Sequence, residues 1–110
     1  MTLYDRELAL DRLGGDEELL GEITVLFLQE SPQMLARLQM AVADRDAHSI
    51  MEAAHSMKGS LATLGAEEGA LLALDLEMMG RNNVLGSSSD ALRRLEDMLG
   101  QLRVQLAQTN

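Results

Sequence analysis

The chain contains no cysteine and no tryptophan, and it has only one tyrosine, one phenylalanine and one proline. Without cysteine it can form neither disulfides nor thiolate metal sites, and it has no thiol nucleophile. With so few aromatic rings it lacks the stacking platforms on which single-stranded nucleic acids usually bind. It also lacks an apolar run of membrane-spanning length and a basic segment followed by an apolar stretch, so the sequence predicts a cytoplasmic protein.

Positive charge is scarce as well, because 9 lysines and arginines face 18 aspartates and glutamates, for a net charge of −9. Such a polyanion repels phosphate backbones and anionic lipid, and we expect neither nucleic acid nor a membrane as a partner. What the chain has in quantity is hydrophobic residues, at 46%. They are mainly leucine, alanine and methionine, which favour helix over strand. The length of 110 residues predicts a single domain over 1–110, and we expect a monomer.

Turn signals divide the sequence into five predicted helices, at residues 4–13, 16–43, 46–64, 67–81 and 89–107. The turns between them are Gly14-Gly15, residues 44–46, Gly65 and residues 82–89. Gly65 suits a left-handed helix end, and Ser88 or Ser89 can cap the last helix. Four long helices with short connections predict an all-α fold, an antiparallel four-helix bundle with a short extra N-terminal helix.

Pro32 raises the question whether residues 16–43 form one helix or two. At about 100° per residue, one apolar stripe keeps its phase through the proline, and Pro32 lies on the opposite side. The stripe consists of Leu20, Ile23, Phe27, Met34, Leu38 and Ala41. This phase match favours one long helix, kinked at Pro32. The alternative is that Ser31 caps a new helix with Pro32 at its first position.

The leucine stripe of the last helix predicts a bundle face rather than a dimer seam. Its members are Leu92, Leu95, Leu99, Leu102 and Leu106.

The helix predicted over 46–64 directs His55 away from its apolar face. That face consists of Ile50, Ala53, Ala54, Met57, Leu61 and Leu64. His55 points about 140° from the centre of the face, which excludes a buried core histidine. Lys58 follows at i+3 and Gly59 at i+4, although a mid-helix glycine costs about 1 kcal/mol relative to alanine. Gly59 and Ala62 remove side-chain bulk, so another protein can approach the imidazole.

These residues suit reversible phosphoryl transfer. Imidazole is nucleophilic at cellular pH, and a phosphoramidate on its nitrogen stays labile enough to transfer again. The Lys58 ammonium can neutralise negative charge that develops on a phosphoryl group at the ring. The chain has no glycine-rich nucleotide loop and no room for an ATP-binding domain, so we expect a phosphotransfer protein without kinase activity.

The segment around the histidine resembles the signature of histidine-containing phosphotransfer (HPt) domains, A-H-x-L-K-G-S/A followed by L-G-A. Here residues 54–60 read Ala-His-Ser-Met-Lys-Gly-Ser, and residues 64–66 read Leu-Gly-Ala. The resemblance extends upstream through residues 13–20 and Phe27, and downstream to Leu76-Glu77. It implies a four-helix bundle in which His55 is phosphorylated at Nε2, Lys58 assists the phosphoryl group and Gly59 clears the docking surface. It also implies that Glu77, 22 residues after the histidine, orients the imidazole.

The same resemblance implies a phosphorelay intermediate, which takes a phosphoryl group from one receiver-domain aspartate and passes it to another. The expected partners are response-regulator receiver domains and a hybrid sensor histidine kinase. No cofactor is expected on this chain, because the receiver carries its own Mg²⁺. Docking is expected over His55 and Gly59, with Met51, Glu52 and Ala62 beside them.

Two residues depart from the family pattern. Met57 replaces the usual leucine, which conserves volume and should be mild. Gly69 stands where a core leucine is common, which predicts loose packing or a local shift at the start of the fourth helix.

Two other functions are open at this point. A metal or hydrolytic site could use His48 and His55, but their seven-residue separation places them roughly 10 Å apart along the helix, too far to chelate one ion. A non-catalytic bundle could bind receiver or kinase domains without transfer. Incubation with a phosphorylated receiver separates these readings, because only a relay takes up the label.

Overall fold

The computed structural model describes residues 2–108, which form five helices and, within that range, no strand. The helices are α1 (Arg6–Arg12), α2 (Glu17–Ala43), α3 (Ala47–Thr63), α4 (Glu67–Asn82) and α5 (Ser88–Gln108). Helix α2 packs on α3 and α5, α4 packs on the same two helices, and α1 lies against α2 and α3. The predicted all-α four-helix bundle with a short extra N-terminal helix is confirmed.

Three aspartates begin the first three helices, each by accepting a hydrogen bond from a main-chain N–H three residues later. They are Asp5, Asp16 and Asp46. The first helix was predicted from residue 4, but it begins at Arg6, because Asp5 is extended and acts as the cap. The Asp5 N–H also donates to the Gly65 carbonyl, 2.9 Å away, which ties the N-terminus to the turn between α3 and α4.

Gly65 adopts the left-handed conformation that the sequence predicted, with φ +74°. The prediction that Ser88 or Ser89 caps the last helix was wrong. Helix α5 already includes Ser88, and the buried Ser88 hydroxyl donates backwards to the Leu85 carbonyl at 2.8 Å.

Helix α2 runs unbroken through Pro32, as the continuous apolar stripe predicted. The alternative start at Ser31 is wrong, because Ser31 is a buried interior residue whose hydroxyl has no hydrogen-bond partner among the described residues. Proline has no N–H, so the Leu28 carbonyl one turn earlier loses its helical donor. Arg103 of α5 supplies the replacement, since its Nη2 donates to the Leu28 oxygen at 3.2 Å. The kink itself stays a prediction.

The start of α4 is not loosely packed, contrary to the expectation at Gly69. The helix begins at Glu67, as predicted, and Gly69 is buried. A side-chain carbon at this position would overlap the end of the Met98 side chain and approach Leu61. Met98 therefore occupies the space that a leucine would fill, which its flexible thioether side chain allows.

Pro32 and Arg103 give a test of the packing between α2 and α5. Arg103→Met should lower the free energy of unfolding by about 1 kcal/mol, because the Leu28 carbonyl loses the donor that takes the place of a proline N–H. In a Pro32→Ala background the alanine supplies an N–H to that carbonyl, so the same Arg103 change should cost little. Urea unfolding of the parent, the two single variants and the double variant gives the coupling energy between positions 32 and 103. Equal costs in both backgrounds would show that Arg103 does not replace the missing helical donor.

Candidate functional site

His55 lies in the middle of α3, and 66% of its side chain is exposed. Its neighbours Ala54 and Met57 are fully buried, so the helix holds the imidazole outward from a fixed base. The ring Nδ1 lies 3.2 Å from Oε2 of Glu77 on α4. Nε2 has no hydrogen-bond partner among residues 2–108 and faces solvent.

Glu77 is buried, with 4% of its side chain exposed, and cationic groups surround its carboxylate. Lys58 Nζ lies 2.7 Å from Oε1. Arg81 Nη2 lies 3.1 Å from Oε2, the oxygen that also contacts His55. Two helices build the cluster, because His55 and Lys58 belong to α3 whereas Glu77 and Arg81 belong to α4.

The cations keep this buried carboxyl ionised. The contact with Lys58 is the largest cause, and it outweighs the opposing effect of burial. Together with Arg81 and His55 it lowers the pKa of Glu77 from 4.5 to about 2. An ionised carboxylate can only accept hydrogen bonds, so the proton between it and the ring belongs to Nδ1. In the neutral ring, Nε2 then carries the free lone pair.

Gly80 brings α4 close enough to α3 for these contacts to form. A side-chain carbon at Gly80 would lie 2.5 Å from the Ala47 carbonyl oxygen and 2.7 Å from the Met51 nitrogen. Only glycine allows the two backbones to approach this closely. Gly80 lies against Met51. Glu77, one turn before Gly80, therefore lies against the part of α3 that follows Met51 and contacts His55 there.

The structure brings together three of the predicted site residues, His55, Lys58 and Glu77. Sequence reasoning missed Arg81 and Gly80. A signal for Arg81 was present, because it stands four residues after Glu77, the spacing at which helical side chains pair. Gly80 had a weaker signal, as a glycine inside a predicted helix.

Gly59 lies on the exposed side of α3, with nothing within 4 Å of the position that a side-chain carbon would take. Beside it an open groove runs between α2 and α3. Its walls are formed by Ile23, Leu26, Phe27, Glu30, Met34, Ser56, Ser60 and Thr63. Towards the start of α3 a second, more polar groove follows, lined by Arg37, Met40, Asp44, Asp46, Ser49 and Glu52, among others.

The other predicted docking residues lie at different depths. Met51 and Ala62 are half-buried, and the Ala62 carbonyl accepts a hydrogen bond from Arg12. Glu52 is exposed and pairs with His48, whose Nε2 lies 3.1 Å from its carboxylate. No group of three or more histidine, aspartate or glutamate side chains in the described chain is arranged to hold a metal ion.

The model of the Hpt domain family matches residues 22–105 of this chain. The chain belongs to the Hpt domain family. Among curated proteins it is similar to the sensor protein TorS of Escherichia coli K12, with 33% identity over 78 residues, covering 66% of this chain and 8% of TorS. It thus spans a small part of that relative.

Two solved structures have the same fold. The histidine-containing phosphotransfer protein HptB of Pseudomonas aeruginosa PAO1 superposes with a TM-score of 0.88 at 22% identity, covering 97% of this chain and 93% of HptB. The HPT domain of a sensor hybrid histidine kinase from Shewanella gives a TM-score of 0.87 at 17% identity, covering 97% of this chain and 92% of that domain. As an Hpt domain, this chain has a histidine-phosphotransfer role in two-component signalling. None of the helices between residues 2 and 108 is both long and apolar enough to cross a membrane.

The pKa of Glu77 predicts how stability depends on pH. Because the folded-state pKa is below the unfolded value, the ionised carboxylate stabilises the fold fully above pH 4.5 and loses this effect as pH falls towards 2. Glu77→Gln removes the titrating group. The difference in free energy of unfolding between parent and variant should therefore shrink by about 3 kcal/mol across that range.

Chemical denaturation at several pH values measures this difference. Asp97→Asn, on the exposed side of α5, is the matched control for losing one carboxylate. A parent-minus-variant difference that stays constant from pH 5 to pH 2 would contradict the assigned pKa of Glu77.

Proposed function

We propose that His55 is the phosphoacceptor of a phosphorelay, taking a phosphoryl group from the aspartyl phosphate of one receiver domain and passing it to the aspartate of another. The observation that carries the proposal is the contact between Nδ1 and ionised Glu77. It holds the ring in one orientation with the Nε2 lone pair towards solvent. A nucleophile oriented by a hydrogen-bonded neighbour is the usual arrangement for covalent group transfer.

In the transfer step, Nε2 attacks the phosphorus, and the bond between phosphorus and the aspartate oxygen breaks. The aspartate leaves as a carboxylate. The ring keeps its proton on Nδ1 and becomes positively charged, and Glu77 stabilises that charge through the hydrogen bond already present. The reverse attack by the carboxylate of a second receiver returns the ring to its neutral form.

Lys58 supports the same step from one turn along α3. Its ammonium contacts Glu77, yet 29% of its side chain is exposed, so a phosphoryl group on the ring can share the charge. The receiver contributes its Mg²⁺, which stabilises the transferring group. The Hpt chain needs no cofactor of its own, acts as a monomer and has no kinase activity.

The receiver docks over the exposed side of α3, on Gly59 with Met51, Glu52 and Ala62 around His55. The open space above Gly59 supports this placement. The neighbouring groove adds apolar side chains of α2, such as Leu26, which is 50% exposed. Apolar surface beside the reactive group is typical of a protein-binding site.

A labelled receiver tests the acceptor. His55→Gln should abolish acid-labile phosphorylation and leave helicity unchanged, because the side chain is exposed. His48→Gln is the matched control, since His48 lies on the same helix with a glutamate partner of its own. Label that survives in His55→Gln, or that is lost in His48→Gln, would show that the acceptor is wrongly assigned. Binding without any label on the parent chain would support the non-catalytic adaptor.

A bulky residue at Gly59 tests the docking surface. Gly59→Leu should raise the free energy of unfolding by up to about 1 kcal/mol, because it replaces a mid-helix glycine in open space. It should also reduce transfer from every receiver, since the side chain stands where the aspartyl phosphate must approach. Gly100→Leu is the matched control, at an exposed mid-helix glycine of α5 that also has open space.

Transfer rates and urea unfolding are measured on the same samples. Normal transfer by Gly59→Leu, or an equal loss in Gly100→Leu, would place the receiver elsewhere.

A further inference from the structure

We propose that Gly80 is a positioning residue for phosphoryl transfer and that it acts on His55 through Glu77. This inference rests on the proposed function and extends it to a residue without a side chain of its own. By allowing α4 to lie directly against α3, Gly80 holds the Glu77 carboxylate where the imidazole can bind it.

The first argument is what faces Gly80, namely the main chain of α3. A side-chain carbon at this position would lie 2.5 Å from the Ala47 carbonyl oxygen, 2.7 Å from the Met51 nitrogen and 3.1 Å from the Met51 Cα. Main-chain atoms of a helix cannot turn aside as the end of a side chain can. An alanine at position 80 should therefore push the two helices apart by about 1 Å, because a close-packed interior has no spare space.

The other glycines inside the described helices meet no such obstacle. Three of them have nothing within 4 Å of the added carbon, namely Gly21, Gly59 and Gly100. At Gly69 the added carbon would meet side chains, chiefly the flexible end of Met98, which can move. Position 80 is thus the helical glycine at which a methyl group must displace a neighbouring helix.

The second argument is that Glu77 must follow any movement at Gly80. The two residues are one turn of α4 apart, about 4.5 Å along its axis. Main-chain hydrogen bonds hold this last turn, from the Asn83 N–H to the Gly80 carbonyl at 3.2 Å and from the Val84 N–H to the Met79 carbonyl at 3.0 Å. Alanine also favours helix more than glycine does. A displacement at position 80 therefore reaches Glu77 and is not absorbed by unwinding of the helix end.

The third argument is that the contact between His55 and Glu77 has little room to lengthen. Nδ1 lies 3.2 Å from Oε2, and beyond roughly 3.5 Å a hydrogen bond is lost. The imidazole is joined to α3 through a single methylene group and cannot reach further. The longer Lys58 side chain, whose Nζ lies 2.7 Å from Oε1, can follow the carboxylate. An alanine at position 80 should therefore free the ring while the buried carboxylate stays paired.

Labelling by a small phosphodonor tests the proposal without any docking. Phosphoramidate phosphorylates histidine in the absence of a receiver, and intact mass with peptide mapping follows the labelling of His55. Gly80→Ala should label about tenfold more slowly, because the acceptor is no longer held in one orientation. Gly69→Ala is the matched control, since it makes the same exchange at a buried glycine of the same helix, and it should label at the parental rate.

The nitrogen-15 spectrum of the His55 ring separates positioning from a general loss of structure. In the neutral ring of the parent, Glu77 should keep the proton on Nδ1. In Gly80→Ala part of the population should carry it on Nε2, and those rings lack the lone pair that attacks phosphorus. Slower labelling with a parental ring spectrum would show that Gly80 does not act through Glu77. Parental labelling by Gly80→Ala, or equal slowing in Gly69→Ala, would also overturn the proposal, while the phosphorelay function would stand.

Urea unfolding on the same samples shows whether Gly80→Ala is folded. If it is not, the measurements are repeated with Gly21→Ala and Gly100→Ala added, since both replace helical glycines in open space and should stabilise the chain. A combined variant that is still unfolded would show that Gly80 serves the stability of the fold, and the proposal would be wrong. A parent chain that neither phosphoramidate nor a phosphorylated receiver labels at His55 would overturn the phosphorelay function itself, and this role of Gly80 with it.

Discussion

A carboxylate shut away from water needs cations or hydrogen-bond donors around it, and the site around Glu77 follows from that requirement. Burial of an unpaired charge is very unfavourable. Removal of one partner from a buried ion pair therefore destabilises the fold, because the remaining charge is then unpaired. The 4% exposure of Glu77 is compatible with folding because Lys58, Arg81 and His55 all contact its oxygens. Two of those contacts, from His55 and Lys58, join α3 to α4, whereas Arg81 contacts Glu77 within α4. Gly80 makes the contacts between the helices possible by letting the helix backbones touch.

The same requirement also orients His55, the proposed acceptor. In α3, His55 follows the fully buried Ala54, and Glu77 of α4 is its ionised partner, so its ring orientation is set before any other protein binds. Groups that already hold their reactive geometry need little reorganisation in the transition state. The domain therefore presents the imidazole in a fixed orientation. The open space at Gly59 leaves the imidazole accessible to another protein.

The sequence predicted what a single helix determines. The exposure of His55 and the placement of Lys58 and Gly59 come from angles around one axis, and the continuity of α2 through Pro32 comes from the phase of one stripe. Features that depend on how two helices meet could not be read in this way. Gly80 matters only where the backbones of α3 and α4 meet, and Gly69 is well packed only because Met98 of α5 reaches into its space. The proximity of Glu77 to His55 came from the family resemblance, since periodicity holds no information about neighbours on another helix.

The contact between Arg103 and the Leu28 carbonyl also bears on how such chains diverge. A carbonyl freed by Pro32 needs a donor from elsewhere, so the proline and the arginine are useful only as a pair. If the arginine is replaced first, the Leu28 carbonyl is left without this donor in a partly buried place. If the proline is replaced first, the helix regains an N–H donor for that carbonyl, and the residue at 103 is no longer needed for it. Evolution should therefore favour replacement of Pro32 before replacement of Arg103. We therefore expect position 103 to vary more among relatives that lack the proline than among relatives that keep it.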